Sequence, residues 1–174
     1  MTVNSSTRLN DVDLGAVAGL VGAIQERPEA ANTTWSAEVH WSGGFRSEAR
    51  VREFAPVPSD EPVALGGTDR APNPVEQLLG SLGNCLAVGY AANASVAGIA
   101  LRDLRIELSG DVDLRAFLGL QDGHAGFDGI HVAVHVDSDA SAEALDALHA
   151  KVIGSSPVGH TLSRAIPLEF DLVT

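Results

Sequence analysis

The chain contains one cysteine, Cys85, in the apolar stretch Gly83-Asn84-Cys85-Leu86-Ala87. A single cysteine excludes an intramolecular disulfide, a cysteine-rich zinc site and a CxxC redox pair, so any thiol chemistry would use one cysteine. Most free cysteines are buried and behave as small hydrophobes, and composition alone favours that interpretation over a reactive thiol. A reactive thiolate needs a nearby cation, for which Arg70 and Arg46 are the candidates.

Glu76 precedes Cys85 by nine residues, which places their side chains roughly half a turn apart if both lie on one helix. The two side chains then cannot touch, so any partnership requires an intermediary residue or a second copy of the chain. A carboxylate in the first turn of a helix also complements the helix dipole, and that structural role accounts for Glu76 by itself.

The histidines do not indicate a metal site. His131 and His135 share one face of a strand but are four residues apart, about 13 Å at the usual rise, which is too far to bind one ion without a bend. His160 follows Ser156 by one helical turn, a spacing that is weak support for a nucleophile pair. The chain has no Gly-x-Ser-x-Gly, phosphate loop, dinucleotide fingerprint or His-Glu-x-x-His motif, so we expect neither a metal nor a cofactor.

A long helix is expected to carry both Glu76 and Cys85. Asn73 is a suitable N-cap and Pro74 a suitable first helical residue. The run from there to about Ala97 is apolar on every side, which is typical of a buried helix. So small a domain cannot cover such a helix easily, and dimerisation would supply the cover.

Patterns on either side of this helix predict strands and further helices. The predicted strands are the hairpin 37–41 and 45–52, then 104–108 with a continuation to 114, 130–136 and 166–172. The predicted helices are a short one over 14–24, one over 141–153 and a piece beginning at Ser155. This order favours an α+β fold, with residues 1–34 as an N-terminal extension carrying the short helix and residues 35–174 as the main domain.

The chain is acidic, with 11 Lys and Arg against 23 Asp and Glu and a net charge of −12. Such a field repels polyphosphate, so nucleic acid and anionic membranes are poor candidate partners. No apolar run approaches the roughly 20 residues of a spanning helix. The segment 14–24 lacks a basic start and a cleavage site, so we expect no signal peptide and a cytoplasmic protein.

Three motifs resemble the OsmC/Ohr family in consistent order over residues 35–174. The twelve-residue step from Asn73 to Cys85 also matches the family pattern. The motifs are Ala71-Pro72-Asn73-Pro74-Val75-Glu76-Gln77-Leu78-Leu79, Gly83-Asn84-Cys85 and Ser155-Ser156-Pro157-Val158.

The resemblance implies an intertwined homodimer with two central helices packed between β-sheets, and peroxidase activity on organic hydroperoxides. In the family a helix cysteine attacks the peroxide, an arginine stabilises its thiolate, a glutamate holds the arginine, and a second cysteine forms a disulfide. Cys85 matches the attacking cysteine and Glu76 the glutamate. Ser156 replaces the second cysteine, and the position of the family arginine reads Ala64-Leu65-Gly66-Gly67, with Arg70 nearby.

The first functional hypothesis is therefore a one-cysteine peroxidase. Cys85 would be oxidised to a sulfenic acid and restored by an external thiol, while Glu76 orients Arg70 and Ser156 and His160 line the pocket. The alternative is a family member without the peroxidase cycle, which binds a small apolar ligand or hydrolyses a substrate through a thioester. A purely structural protein would give no reason for the spacing from Asn-Pro to Cys.

Overall fold

The computed structural model describes residues 8–174, which form two compact units. The larger unit comprises residues 8–14 and 81–174, and the smaller comprises residues 15–80. The strands are β1 (Arg8–Leu9), β2 (Val12–Asp13), β3 (Glu38–Gly43), β4 (Arg46–Arg50), β5 (Val57–Ser59), β6 (Asp103–Val112) and β7 (Phe127–Asp137). The helices are α1 (Leu14–Glu26), α2 (Pro74–Val96), α3 (Leu114–Phe117), α4 (Ala142–Ile153) and α5 (Pro157–Leu162), with short 3₁₀ turns at Pro28–Ala31 and Val63–Leu65. The mixture of antiparallel strands and separate helices is the α+β class that the sequence predicts.

The smaller unit contains an antiparallel sheet of order β3-β4-β5. The predicted hairpin is confirmed, because β3 pairs with β4 across a turn in which Gly43 and Gly44 have φ of 100° and 61°. Those positive values favour glycine, which has no Cβ. The second strand ends at Arg50 and not at residue 52, since Arg52 has a φ of 50° and its guanidinium stacks over Phe54.

The larger unit is built on the long antiparallel pair β6 and β7, with Ile106 opposite Val134 near its centre. The predicted alternation of β7 is confirmed. The two histidines on one face of the strand are exposed, whereas the valines on the opposite face pack against the core. The buried residues of the core cluster all belong to α2 and α4, and they are Leu82, Leu86, Tyr90, Ala94, Leu148 and Val152. The strand predicted to continue to residue 114 stops at Val112, because Asp113 caps α3 by accepting from the Arg115 amide.

Helix α2 is buried on one side only. Leu82, Leu86, Tyr90 and Ala94 are buried at the four-residue spacing of a single stripe, with Ser95 buried beside its end. Val88, on another side of the helix, is 69% exposed. The expectation of a helix covered on every side is therefore not met within the described chain. The helix ends as predicted before Gly98, whose φ of 72° suits the residue that terminates a helix.

The predicted strand over residues 166–172 is wrong for this structure. No regular element follows α5, and Leu168, Phe170 and Leu172 are all largely exposed, Phe170 to 88%. Alternating apolar residues form a strand only where a neighbouring strand receives their backbone hydrogen bonds. Among residues 8–174 no strand pairs with this segment.

The short helix of the N-terminal segment is confirmed, and it extends from Leu14 to Glu26. Ahead of it, the side chain of Asn10 donates to Ser95 Oγ and to the Ile99 carbonyl, and it accepts from the Leu101 amide. Residues 8–14 are thereby tied to the end of α2. The boundary after residue 34 stays a prediction, and the first seven residues of the extension lie outside the described residues.

The Asp60 carboxylate organises the loop that precedes α2. It is only 1% exposed and accepts from the Glu61, Thr68 and Arg70 amides and from the Thr68 hydroxyl. The hydroxyl bond is the largest cause of a pKa lowered from 3.8 to about 2. A lowered folded-state pKa means that Asp60 stabilises the fold above about pH 4 and that this contribution is lost as the pH falls through about 2.

We expect Asp60→Asn to lower the midpoint of thermal unfolding at pH 7 by about 5 °C, because an amide cannot accept all four bonds. The difference from the unchanged protein should shrink as the pH falls from 4 towards 2. Calorimetry at several pH values measures both effects, with the exposed Asp69→Asn as the matched control. A difference that is the same at every pH would contradict a role for the ionised carboxylate.

Candidate functional site

The thiol of Cys85 lies against the hydroxyl of Ser156. Cys85 is half-buried on α2, and its Sγ is 3.3 Å from Ser156 Oγ. Ser156 is buried and caps α5, where its Oγ accepts from the Gly159 amide at 3.1 Å. A hydroxyl has one proton to donate, so Ser156 can accept from Gly159 and still donate its proton to the sulfur of Cys85.

The local sequence explains why Ser156 is held in this place. Serine is a favoured N-cap and the following Pro157 suits the first helical position, since its missing N–H is not needed there. Because α5 begins at this serine, the hydroxyl is fixed by the helix start and not by a flexible loop. Two elements far apart in sequence, α2 and the start of α5, therefore position the pair.

A cavity of about 430 Å³ adjoins the pair. This volume falls in the range of small-molecule sites. The surface of the cavity is mostly apolar, and the polar side chains that line it are Ser156, His160, Ser163, Tyr90 and His149. Cys85 is not itself a lining residue, and its thiol is connected to the wall by its contact with Ser156. The arrangement provides a sulfur nucleophile with a hydroxyl donor at the margin of an apolar space.

The structure places Ser156 and His160 together in the cavity wall. Within residues 8–174 no hydrogen bond joins their two side chains, and the contact between them is the His160 amide donating to the Ser156 carbonyl. A serine nucleophile activated by His160 is therefore not formed. The hydroxyl of Ser156 faces the thiol instead.

Glu76 lies in the smaller unit and caps the start of α2. Its Oε2 accepts from the Asn73 amide at 2.8 Å, and its own amide donates to Asn73 Oδ1 at 2.9 Å. This reciprocal arrangement is a capping box, which satisfies two amides that the helix leaves unpaired. Glu76 thus has a structural role at the start of α2, and any role in the chemistry would be in addition to it.

The two candidate arginines, Arg70 and Arg46, both line a second cavity of about 220 Å³ in the smaller unit. Arg46 is half-buried and Arg70 is exposed. Among the described ion pairs none joins Arg70 to Glu76, and the Arg70 backbone amide donates to Asp60. The structure thus brings the two arginines together, while the arginine–glutamate pair implied by the resemblance is not present in the described chain.

Sequence reasoning passed over Tyr90 and His149. The Tyr90 hydroxyl is hydrogen-bonded to Nδ1 of His149, and both residues line the cavity next to Ser156. The available signal was the single tyrosine of the chain, which follows Leu82 and Leu86 at four-residue spacing in an apolar helix. A tyrosine buried in such a stripe needs a polar partner for its hydroxyl.

In the part of the chain that the structure describes, no cluster of three or more His, Cys, Asp or Glu residues is arranged to hold a metal ion. Among the helices of residues 8–174, none combines the length and the apolar character needed to cross a bilayer. The chemistry available at the site is that of the thiol, the hydroxyl and the neighbouring polar side chains.

Solved structures share this fold at low sequence identity. The OsmC-like protein from Mycoplasma pneumoniae superimposes with a TM-score of 0.67 at 17% identity, over 76% of this chain and 89% of that one. The organic hydroperoxide resistance protein OsmC from Legionella pneumophila gives 0.56 at 19% identity, over 75% and 91% of the two chains. The organic hydroperoxide resistance protein from Elizabethkingia anophelis gives 0.56 at 17% identity, over 75% and 89%.

No curated protein matches the sequence. The family model described as OsmC-like protein matches residues 67–171, which is more than half of the chain. The match includes Cys85, Glu76, Arg70 and the Ser156 segment. The chain belongs to the OsmC-like protein family.

Proposed function

We propose that the chain is a thiol-dependent peroxidase that reduces organic hydroperoxides through Cys85 in defence against oxidative stress. The observation that carries the proposal is the contact between Cys85 Sγ and Ser156 Oγ beside an apolar cavity of about 430 Å³. The names of the proteins from Legionella pneumophila and Elizabethkingia anophelis support the substrate class.

In the first step the thiolate of Cys85 attacks one peroxide oxygen, so an S–O bond forms and the O–O bond breaks. The leaving alkoxide takes a proton and departs as an alcohol, while the sulfur is oxidised to a sulfenic acid. Ser156 is placed to donate a hydrogen bond to the sulfur before and after the attack. The peroxide is reduced by the two electrons that the thiol loses.

Regeneration requires a thiol from outside the chain, because Cys85 is the only cysteine. One external thiol displaces the hydroxyl of the sulfenic acid as water and forms a mixed disulfide. A second thiol attacks this disulfide, releases Cys85 and leaves as an oxidised disulfide. We place the chain in the cytoplasm, where thiol reductants are kept reduced.

We assign Arg70 the stabilisation of the Cys85 thiolate and Glu76 the orientation of the arginine. Glutamine can replace glutamate in a capping box, so Glu76→Gln should leave the thermal unfolding midpoint within about 1 °C. Turnover of hydroperoxide should nevertheless fall about tenfold or more, since the neutral amide holds a guanidinium less strongly. Steady-state kinetics and a thermal melt measure the two quantities.

Glu76→Ala is the matched control, since it removes the cap as well and should cost about 1 kcal/mol of stability. Turnover by Glu76→Gln equal to that of the unchanged protein would restrict Glu76 to its role at the start of α2.

We also propose that two copies form an intertwined homodimer. The exposed Val88 on α2 and the exposed apolar residues Leu168, Phe170 and Leu172 are surfaces that a second copy would cover. Sedimentation equilibrium at micromolar concentration should give twice the chain mass of 18.0 kDa, and Phe170→Lys with Leu172→Lys should weaken the association. A monomer at these concentrations would contradict the proposal.

A second candidate function is a member of the family that has lost the peroxidase cycle. It would bind a small apolar ligand in the cavity or hydrolyse a substrate through a thioester on Cys85. Two features favour this alternative: Ser156 stands at the position of the resolving cysteine, and among the described ion pairs none joins Arg70 to Glu76.

Exposure of the purified protein to one equivalent of cumene hydroperoxide tests the peroxidase proposal. Intact mass with a dimedone trap should show rapid, near-stoichiometric sulfenic acid on Cys85, reversed by a dithiol. A thiol that stays reduced and unlabelled under these conditions would overturn the proposal and favour the ligand-binding alternative.

A further inference from the structure

Two of the polar side chains that line the 430 Å³ cavity, Ser156 and Tyr90, lie beside different turns of α2. Ser156 is in contact with Cys85, whereas Tyr90 follows Cys85 by five residues, about 7.5 Å further along the helix axis. Between them the wall carries apolar side chains such as Leu86 and Val132. The cavity therefore offers an apolar length with hydrogen-bonding groups near both ends.

The Tyr90–His149 pair forms the end away from the thiol. Tyr90 is 1% exposed, and burial raises the pKa of its hydroxyl, which stays protonated at neutral pH. The hydroxyl and Nδ1 of His149 satisfy each other. The imidazole has a second nitrogen, Nε2, which makes no hydrogen bond to the described residues and, because His149 is exposed, is accessible to solvent or to a ligand.

The same pair also borders a neighbouring cavity of about 340 Å³, whose lining again includes Tyr90, Val134 and His149. The pair thus stands in the wall common to both spaces. Asp146 lines the second cavity, and the chain has a net charge of −12. The negative charge of Asp146 and the negative net charge of the chain both repel a carboxylate ligand, whereas neither repels a neutral hydroxyl or carbonyl group.

We propose that the Tyr90–His149 pair determines specificity by binding an uncharged hydroxyl or carbonyl group at the far end of an organic ligand. The apolar body of that ligand packs against α2 and β7, and its other end reaches Ser156 and the thiol. The identity of that reacting end as a hydroperoxide rests on the proposed function, whereas recognition of the far group does not.

Two pairs of probes distinguish recognition of the far group from reaction at the hydroperoxide end. The first pair is cumyl alcohol and its para-hydroxymethyl derivative, which bind without reaction and are measured by calorimetry. The hydroxymethyl compound should bind about fivefold more tightly, because its hydroxyl adds a hydrogen bond to the pair in exchange for one that water makes at the exposed imidazole. The corresponding hydroperoxides should show the same ratio in kcat/KM.

Tyr90→Phe and His149→Ala should each abolish this preference, so that the two alcohols bind about equally well. His131→Gln, on the exposed face of β7, should leave the preference unchanged. If a variant does not fold, the relative affinity of the unchanged protein for the two alcohols still tests the inference. Equal binding of the two alcohols, a preference that persists in both variants, or tighter binding of the para-carboxy analogue would each overturn the inference. Preferential alcohol binding without hydroperoxide turnover would overturn only the proposed peroxidase function.

Discussion

Replacing Cys85 with serine should reduce hydroperoxide turnover by about a thousandfold or more. Serine has nearly the same shape, but its hydroxyl is a far weaker nucleophile at neutral pH than a thiolate. No other residue of the chain can replace the sulfur, since Cys85 is the only cysteine and Met1 is the only other sulfur-containing residue. Coupled consumption of an external dithiol, followed at several hydroperoxide concentrations, measures the loss.

The control for this variant is its stability, because Cys85 is half-buried on the core helix. Cys85→Ser should unfold within a few degrees of the unchanged protein, so that lost turnover is not lost fold. Ser155→Ala, in the neighbouring exposed serine, should retain full turnover. If Cys85→Ser still turned over hydroperoxide at an appreciable rate, the chemistry would reside elsewhere in the chain.

The parts of the fold that the sequence predicts correctly depend on short-range patterns. Asn73, Pro74 and Glu76 define the start of α2 within four residues, and the structure shows the capping box that they form. The β3–β4 turn is specified by Gly43 and Gly44, whose positive φ values no other residue adopts as easily. Each feature is decided by atoms a few residues apart, so one sequence suffices to locate it.

What the sequence does not predict depends on contacts between distant segments. Residues 166–172 have the alternation of a strand, yet the described chain gives them no neighbour to pair with. The Tyr90–His149 bond joins residues 59 positions apart, and no periodicity shows which side chain a buried hydroxyl meets. The resemblance placed Ser156 near Cys85, but only the structure shows that its hydroxyl, and not His160, faces the sulfur.

The contact between Cys85 and Ser156 makes a second strong prediction, that Ser156→Cys creates a resolving thiol. The present Sγ to Oγ distance is 3.3 Å, and a disulfide needs about 2.05 Å, a change that small side-chain rotations can supply. One equivalent of hydroperoxide should then convert Cys85 to the sulfenic acid and release water as the introduced thiol attacks it. The product is an intramolecular disulfide.

In this variant dimedone labelling should fall at least about tenfold, because an intramolecular thiol reacts far faster than a trap in solution. Ser155→Cys is the matched control, since it adds one thiol at the adjacent residue, whose hydroxyl bonds to the Lys151 carbonyl instead. It should keep the dimedone adduct on Cys85. Peptide mapping under non-reducing conditions distinguishes the two. A disulfide absent from Ser156→Cys, while Cys85 still forms sulfenic acid, would mean that the sulfur turns away from residue 156 once it is oxidised.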